Sequence, residues 1–206
     1  MKQLSTEFGE LCRFGLRAGF ALTLMVLGGG FLPARAAEDS ESGPHEQGRL
    51  LTQRAAGVLS SNLLAALTQG GPTKALKFCS THAAALTAAS GTNGISLRRV
   101  SHRPRNLGNR ATTDELVVLE QFRARLLPGA GLPPQLRTNA NGTISFFSPI
   151  VLNTPLCLNC HGQAGTEVAP GTVEAIQRLY PHDEATGFKL GDLRGMWRVD
   201  FGPASR

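Results

Sequence analysis

Five consecutive residues, Cys157-Leu158-Asn159-Cys160-His161, constrain this chain more than any other feature. Two thiols lie one short turn apart and an imidazole follows at once. Three ordinary readings fit poorly. A redox dithiol of the thioredoxin kind opens a helix in a βαβ setting, and no such alternation surrounds this pair. Half of a zinc site needs a second close pair of ligands, and only distant Cys79 is at hand. A plain disulfide would close a tight loop. The reading that uses all three side chains is covalent haem attachment. Each thiol adds to one vinyl group of the same haem edge, and His161 is brought under the ring to reach the iron. Histidine suits that place because it is neutral near pH 7 and its second nitrogen can be held by a backbone carbonyl.

The N-terminus agrees with this chemistry, because haem c is attached outside the bacterial cytoplasm. Lys2, Arg13 and Arg17 precede an apolar run from Ala18 to Leu32, and Ala34-Arg35-Ala36 supplies the small residues of a cleavage site. The run is too short for a comfortable membrane span. Residues 1–36 therefore read as a signal peptide cut after Ala36, 37–48 as a polar linker and 49–206 as the domain, with a periplasmic destination. Cys12 would leave with the signal. That leaves Cys79, Cys157 and Cys160, an odd number for a disulfide framework in an oxidising compartment. Across the 206 residues the net charge is +6, carried mostly by arginine. Export argues against nucleic acid as the partner of that charge.

Apolar residues recur three or four apart from Arg49 to Gln69, which predicts a helix. Gly70-Gly71-Pro72 breaks it, and a second helix is expected from Thr73 to about Ala89. Ile95–Ser101 reads as a strand and His102–Arg110 as an irregular loop. Thr112 and Glu115 form a capping-box pattern before a helix reaching about Leu127. Gln135–Thr138 and Thr143–Leu152 flank Asn139-Ala140-Asn141-Gly142, a hairpin signal. A short helix is expected over Thr172–Tyr180 and a last strand over Arg194–Phe201. The order implies an α+β domain with helices packed on an antiparallel sheet.

The second axial position on the iron has several candidates: Met196, Cys79, His45, His82, His102 and His182. Met196 sits in an expected strand, where core packing is the ordinary role, although it would make a conventional electron carrier. Cys79 shares the apolar stripe of its helix with Leu76, Ala83 and Leu86, so it is expected to point inward, as buried cysteines commonly do. An unoccupied thiol invites oxidation outside the cytoplasm. His82 is one turn further on. Of the arginines in Arg98–Arg105, at least one is expected beside a haem propionate. Arg98 is the candidate for this role; strand alternation sends Arg98 and Arg99 to opposite faces, so they cannot share it.

Several ordered stretches together resemble the Tll0287-like (DUF3365) family of c-type haem proteins. They are Ala75-Leu-Lys-Phe-Cys79; Arg98-Arg-Val-Ser-His-Arg-Pro-Arg-Asn106 with Asn109 and Glu115; Cys157 to Gly162; and Tyr180-Pro-His-Asp183 through Gly195. The resemblance runs from about Arg49 to Phe201. It departs at Leu107 and Ala111, where prolines are expected, which bears only on the shape of that loop. It implies a PAS-like fold around one covalent haem, with iron held by His161 and Cys79. It also implies a redox- or ligand-sensing role, the signal passing to another protein because little chain follows Phe201. A periplasmic electron-transfer cytochrome is the alternative. A peroxidase-like enzyme would need an acid-base histidine such as His82 or His102 fixed near the iron, and nothing in the sequence fixes either.

Overall fold

The computed structural model describes residues 38–91, 94–127 and 131–202. The expected signal peptide lies outside them. The chain forms α1 (Glu38–Ala88), β1 (Ser96–Val100), α2 (Thr113–Arg125), β2 (Gln135–Thr138), β3 (Ile144–Val151), the single turn α3 (Leu158–His161), α4 (Pro170–Leu179) and β4 (Leu193–Phe201), with short 3-10 turns at Leu107–Asn109 and Pro155–Cys157. The four strands make one antiparallel sheet in the order β1-β4-β3-β2. The protein is therefore α+β, as its sequence pattern implies, and its architecture is compatible with a PAS-like domain.

Register sorts the side chains onto two faces. Leu97, Val199, Phe146 and Leu136 align across all four strands. With Leu51 and Ala55 of α1 they build one core. Strand alternation turns the next row to the opposite face. There Val100, Met196 and Phe147 pack against Val118, Leu119 and Phe122 of α2. Gly48 lets α1 lie on the sheet, since an added Cβ would overlap the buried Phe146 ring. Gly195 likewise lets β4 approach the Val100 carbonyl.

Within the segment expected as a linker, the chain is helical from Glu38. Periodicity missed this because the segment lacks an apolar stripe, and seating on Phe146 is a tertiary effect that sequence pattern does not carry. Gly70 and Gly71 depart from helical geometry, and Gly71 has φ 66°, a left-handed value that favours glycine. The kink separates a first half of α1 packed on the sheet from a second half whose Leu76 packs with Val168, Ala175 and Ile176, the last two on α4.

The capping box forms as its sequence implies. The Thr112 hydroxyl accepts from the Glu115 N–H, and the Glu115 carboxylate accepts from the Thr112 N–H at 2.9 Å. Glu115 is 1% exposed and also receives Arg98 and, at 2.9 Å, Arg198. Burial opposes ionisation of this carboxyl, but the Thr112 N–H and the two guanidiniums outweigh it and hold the pKa below the ordinary carboxylate value. A lowered carboxyl pKa adds stability above the unfolded value, and that stability is lost as pH falls through the folded value. Glu115→Gln is expected to destabilise the fold at neutral pH by about 3 kcal/mol. Denaturant midpoints of variant and parent should converge as the pH drops below the ordinary carboxylate range.

Candidate functional site

The C-x-x-C-H run folds as a 3-10 turn leading into the one-turn helix α3. Cys157 and Cys160 stand three apart on this turn, so their sulfurs share one side of it. Cys79, Cys157 and Cys160 are all free thiols. The turn follows an antiparallel strand, not the first strand of a βαβ unit, which removes the setting of a thioredoxin-like dithiol. Among the described residues, no three His, Cys, Asp or Glu side chains form a group that could hold a metal ion.

Three hydrogen bonds fix the turn to the segment after α4. The His161 carbonyl accepts from the Phe188 N–H at 2.8 Å and the Gly162 carbonyl from the Gly187 N–H at 2.7 Å. The His161 ring completes the set: Nδ1–H donates to the Ala185 carbonyl at 2.7 Å. A carbonyl only accepts, so the proton sits on Nδ1 and the Nε2 lone pair is available. Burial, then Arg194 and Arg105, holds the His161 pKa well below the usual histidine value, so the ring is neutral near pH 7. Gly162 is required here, because a Cβ would collide with Leu158 and Glu167.

Arg105 locks this arrangement. Its guanidinium reaches Asp183 at 2.8 Å, the Cys160 carbonyl at 2.6 Å and the Ala185 carbonyl at 3.3 Å. One cation thereby ties the arginine-rich loop, the cysteine turn and the segment that orients His161. The pair is buried, with side chains 9% and 7% exposed.

Cys79 lies on the second half of α1 and is partly buried. Burial pushes its thiol pKa up, while nearby Arg99 and Arg105 pull it down. Cys79 also raises the pKa of Cys160, as two close thiols do, although burial is the larger cause there. Cys160 and Tyr180 pack on the same apolar cluster as Leu76, one turn before Cys79. Arg99 and Arg105 act on both Cys79 and His161, which locates the two at the same charged region.

The other candidate ligands lie elsewhere or are otherwise engaged. Met196 is fully buried in the core under α2. His82 is exposed and stacks on Phe78, with ring centroids 5.1 Å apart. His45 is exposed and meets Phe146 edge-on, and His182 is exposed. His102 flanks Phe188, as His161 does, and its buried Nδ1 has no hydrogen-bond partner. Arg98 faces α2 and pairs with Glu115, so it is not brought to the cysteine turn. Arg99, on the other face, is. Arg105, Asp183 and Ala185 all lay within stretches singled out in the sequence, but their mutual bonding joins residues far apart in the chain and has no local signature.

The fold and site define an α+β domain organised around a C-x-x-C-H turn with an oriented, neutral histidine. Residues 37–201 match the Tll0287-like family model, and the chain belongs to that family. Among solved structures it is similar to the cyanobacterial heme-protein Tll0287, with 25% sequence identity and a TM-score of 0.50 over 84% of this chain and 99% of that one. No curated protein matches the chain.

Removing one partner of a buried ion pair leaves an uncompensated charge. Asp183→Asn is therefore expected to destabilise the fold by about 3–5 kcal/mol. Glu184→Gln, which breaks the half-exposed pair with Arg110, should change stability far less, because water screens that pair. Urea titrations of the two variants check this contrast.

Proposed function

We propose that this chain is an exported c-type haem protein that senses redox state or a small ligand. One haem would be attached at Cys157 and Cys160, with the iron held between His161 and Cys79. The observation that carries the reading is the His161 ring. Its Nδ1–H is committed to the Ala185 carbonyl, leaving Nε2 as a donor beside two unbridged thiols. Family membership and the similarity to a heme-protein support the same reading. The donor set fits haem chemically: two thiols on one turn for two vinyl groups, a neutral imidazole, and apolar walls from Leu76, Phe188 and Tyr180.

When bound, the haem supplies a one-electron redox change at its iron. The chain's residues set what that change does. Cys79 would hold the iron as a thiolate, whose negative charge would favour the oxidised state in a low-dielectric site. A released sulfur would take a proton, because burial raises the Cys79 thiol pKa. Cys79 belongs to the part of α1 beyond the Gly70–Gly71 kink, so its release frees a segment able to move as a unit and be read by a partner protein. Burial of Met196 under α2 argues against the His/Met ligation of a conventional electron carrier. A periplasmic address rests on the apolar run and the cleavage-site residues of 1–36.

Protein produced in a host with haem-attachment machinery should begin at Ala37 and retain one haem after denaturation, read by intact mass. A mature mass without that addition overturns the haem reading. Cys79→Ala should keep the haem, raise the potential and open the iron to carbon monoxide. A spectrum and potential identical to the parent's would make Cys79 a core residue only.

A further inference from the structure

Six of the thirteen described arginines face an acid. Arg105 holds Asp183, Arg110 holds Glu184, and Arg98 and Arg198 share Glu115. Arg99 and Arg194 differ. Among the described residues, neither has a carboxylate within ion-pair distance, and each has a buried Nε without a hydrogen-bond partner. Arg194 donates through Nη1 to the Ser101 hydroxyl at 2.7 Å and to the Arg103 carbonyl at 3.0 Å. Asp183, the acid that acts on it, is already held by Arg105.

The Arg99 charge acts on Arg194. Burial pushes the Arg194 pKa down to about 9, and the positive charges of Arg105 and Arg99 add to the effect. Burial likewise lowers the Arg99 pKa, opposed by Cys79 and Tyr180. Both arginines act on the His161 ring. Two partly buried like charges in one region are unfavourable unless an anion joins them, because each loses hydration without gaining a counter-charge. A bidentate guanidinium is the usual partner of a carboxylate in such a setting.

We propose that Arg99 and Arg194 form the seat for the two propionate carboxylates of the haem. This rests on the haem reading above and moves the propionate contact from Arg98 to the opposite face of β1. Two cations would meet two carboxylates, and the orphaned Nε groups would gain acceptors. Arg98 and Arg105 cannot take the role without abandoning Glu115 and Asp183.

The test uses the full chain carrying its haem. Arg99→Gln and Arg194→Gln are compared with Arg98→Gln, in which Glu115 keeps Arg198. The midpoint potential is followed against pH, where propionate ionisation gives a pH-dependent step, and the carboxylate bands are read in redox-difference infrared spectra. Each seat variant should weaken the acidity of a propionate about tenfold or more, moving that step to higher pH. The carboxylate bands should shift, and Arg98→Gln should leave both unchanged. Arg99→Lys and Arg194→Lys should restore part of the parental titration, and they decide the matter if a Gln variant does not fold. Lys variants that titrate no closer to the parent than the Gln variants, or an equal response to Arg98→Gln, overturn the assignment. If the Arg99 effect vanishes in a Cys79→Ala background, Arg99 serves the thiolate and not a propionate. Retained haem in the denatured parent is measured first: its absence overturns the haem reading itself, whereas haem retained with unmoved seat variants overturns only the arginine seat.

Discussion

The geometry of the site depends on one buried cation. Arg105 binds the Asp183 carboxylate and the carbonyls of Cys160 and Ala185, and so joins three irregular segments that have no sheet or helix in common. Ala185 in turn accepts the His161 Nδ1–H, which decides the tautomer and the direction of the ring. Asp183 also accepts from the Ala185 N–H at 3.2 Å, so both backbone polar groups of Ala185 are engaged by the same latch. Without this network the cysteine turn would be a short helix of one turn at the end of a loop, too short to hold an orientation by itself. An ion pair at this depth specifies an arrangement more than it adds net stability, because desolvation offsets much of the Coulombic gain. Its value to the protein is directional: the His161 ring is aimed by buried groups that bond one another.

A second constraint distributes the long helix between two tasks. The Gly70–Gly71 kink turns α1 from the sheet, where Leu51 and Ala55 are buried, toward α4, where Leu76 is buried. A straight helix of this length would extend past the domain and would not bring Cys79 beside Cys160. The kink therefore connects an architectural half, committed to the sheet, with a half that carries a candidate ligand. Because the two halves have separate cores, motion of the second need not disturb the first.

The sheet also partitions charge. On the α2 side, Glu115 gathers Arg98 and Arg198 into a network whose partners lie within that face. On the other side, Arg99 remains without an acid among the described residues, as does Arg194 at the irregular start of β4, and both act on the neutral His161. The resulting region is cationic, partly buried and lined by Phe188 and Tyr180, with Arg103 over the Phe188 ring at 4.2 Å and Arg105 at 5.9 Å from the Tyr180 ring. Such a surface suits a flat apolar group bearing carboxylates.

Local chemistry made much of this legible from the residues alone. The helix break at Gly70-Gly71-Pro72, the Thr112–Glu115 capping box, the Asn139–Gly142 hairpin and the strand alternation of β1 are short-range effects, each written within a few neighbouring positions. The C-x-x-C-H turn and the inward stripe holding Cys79 are of the same kind. Other features were settled only when distant segments met. The first half of α1 lies on the sheet because Gly48 allows it to seat on Phe146, about a hundred positions away in sequence. Alternation showed that Arg98 and Arg99 diverge, but only α2 and its Glu115 decided which of the two would be consumed in an ion pair. Arg105, Asp183 and Ala185 likewise carry no individual signal. Their role exists because tertiary folding removes water from all three at once, and a buried charge or carbonyl must then find its partner among whatever the fold has brought near.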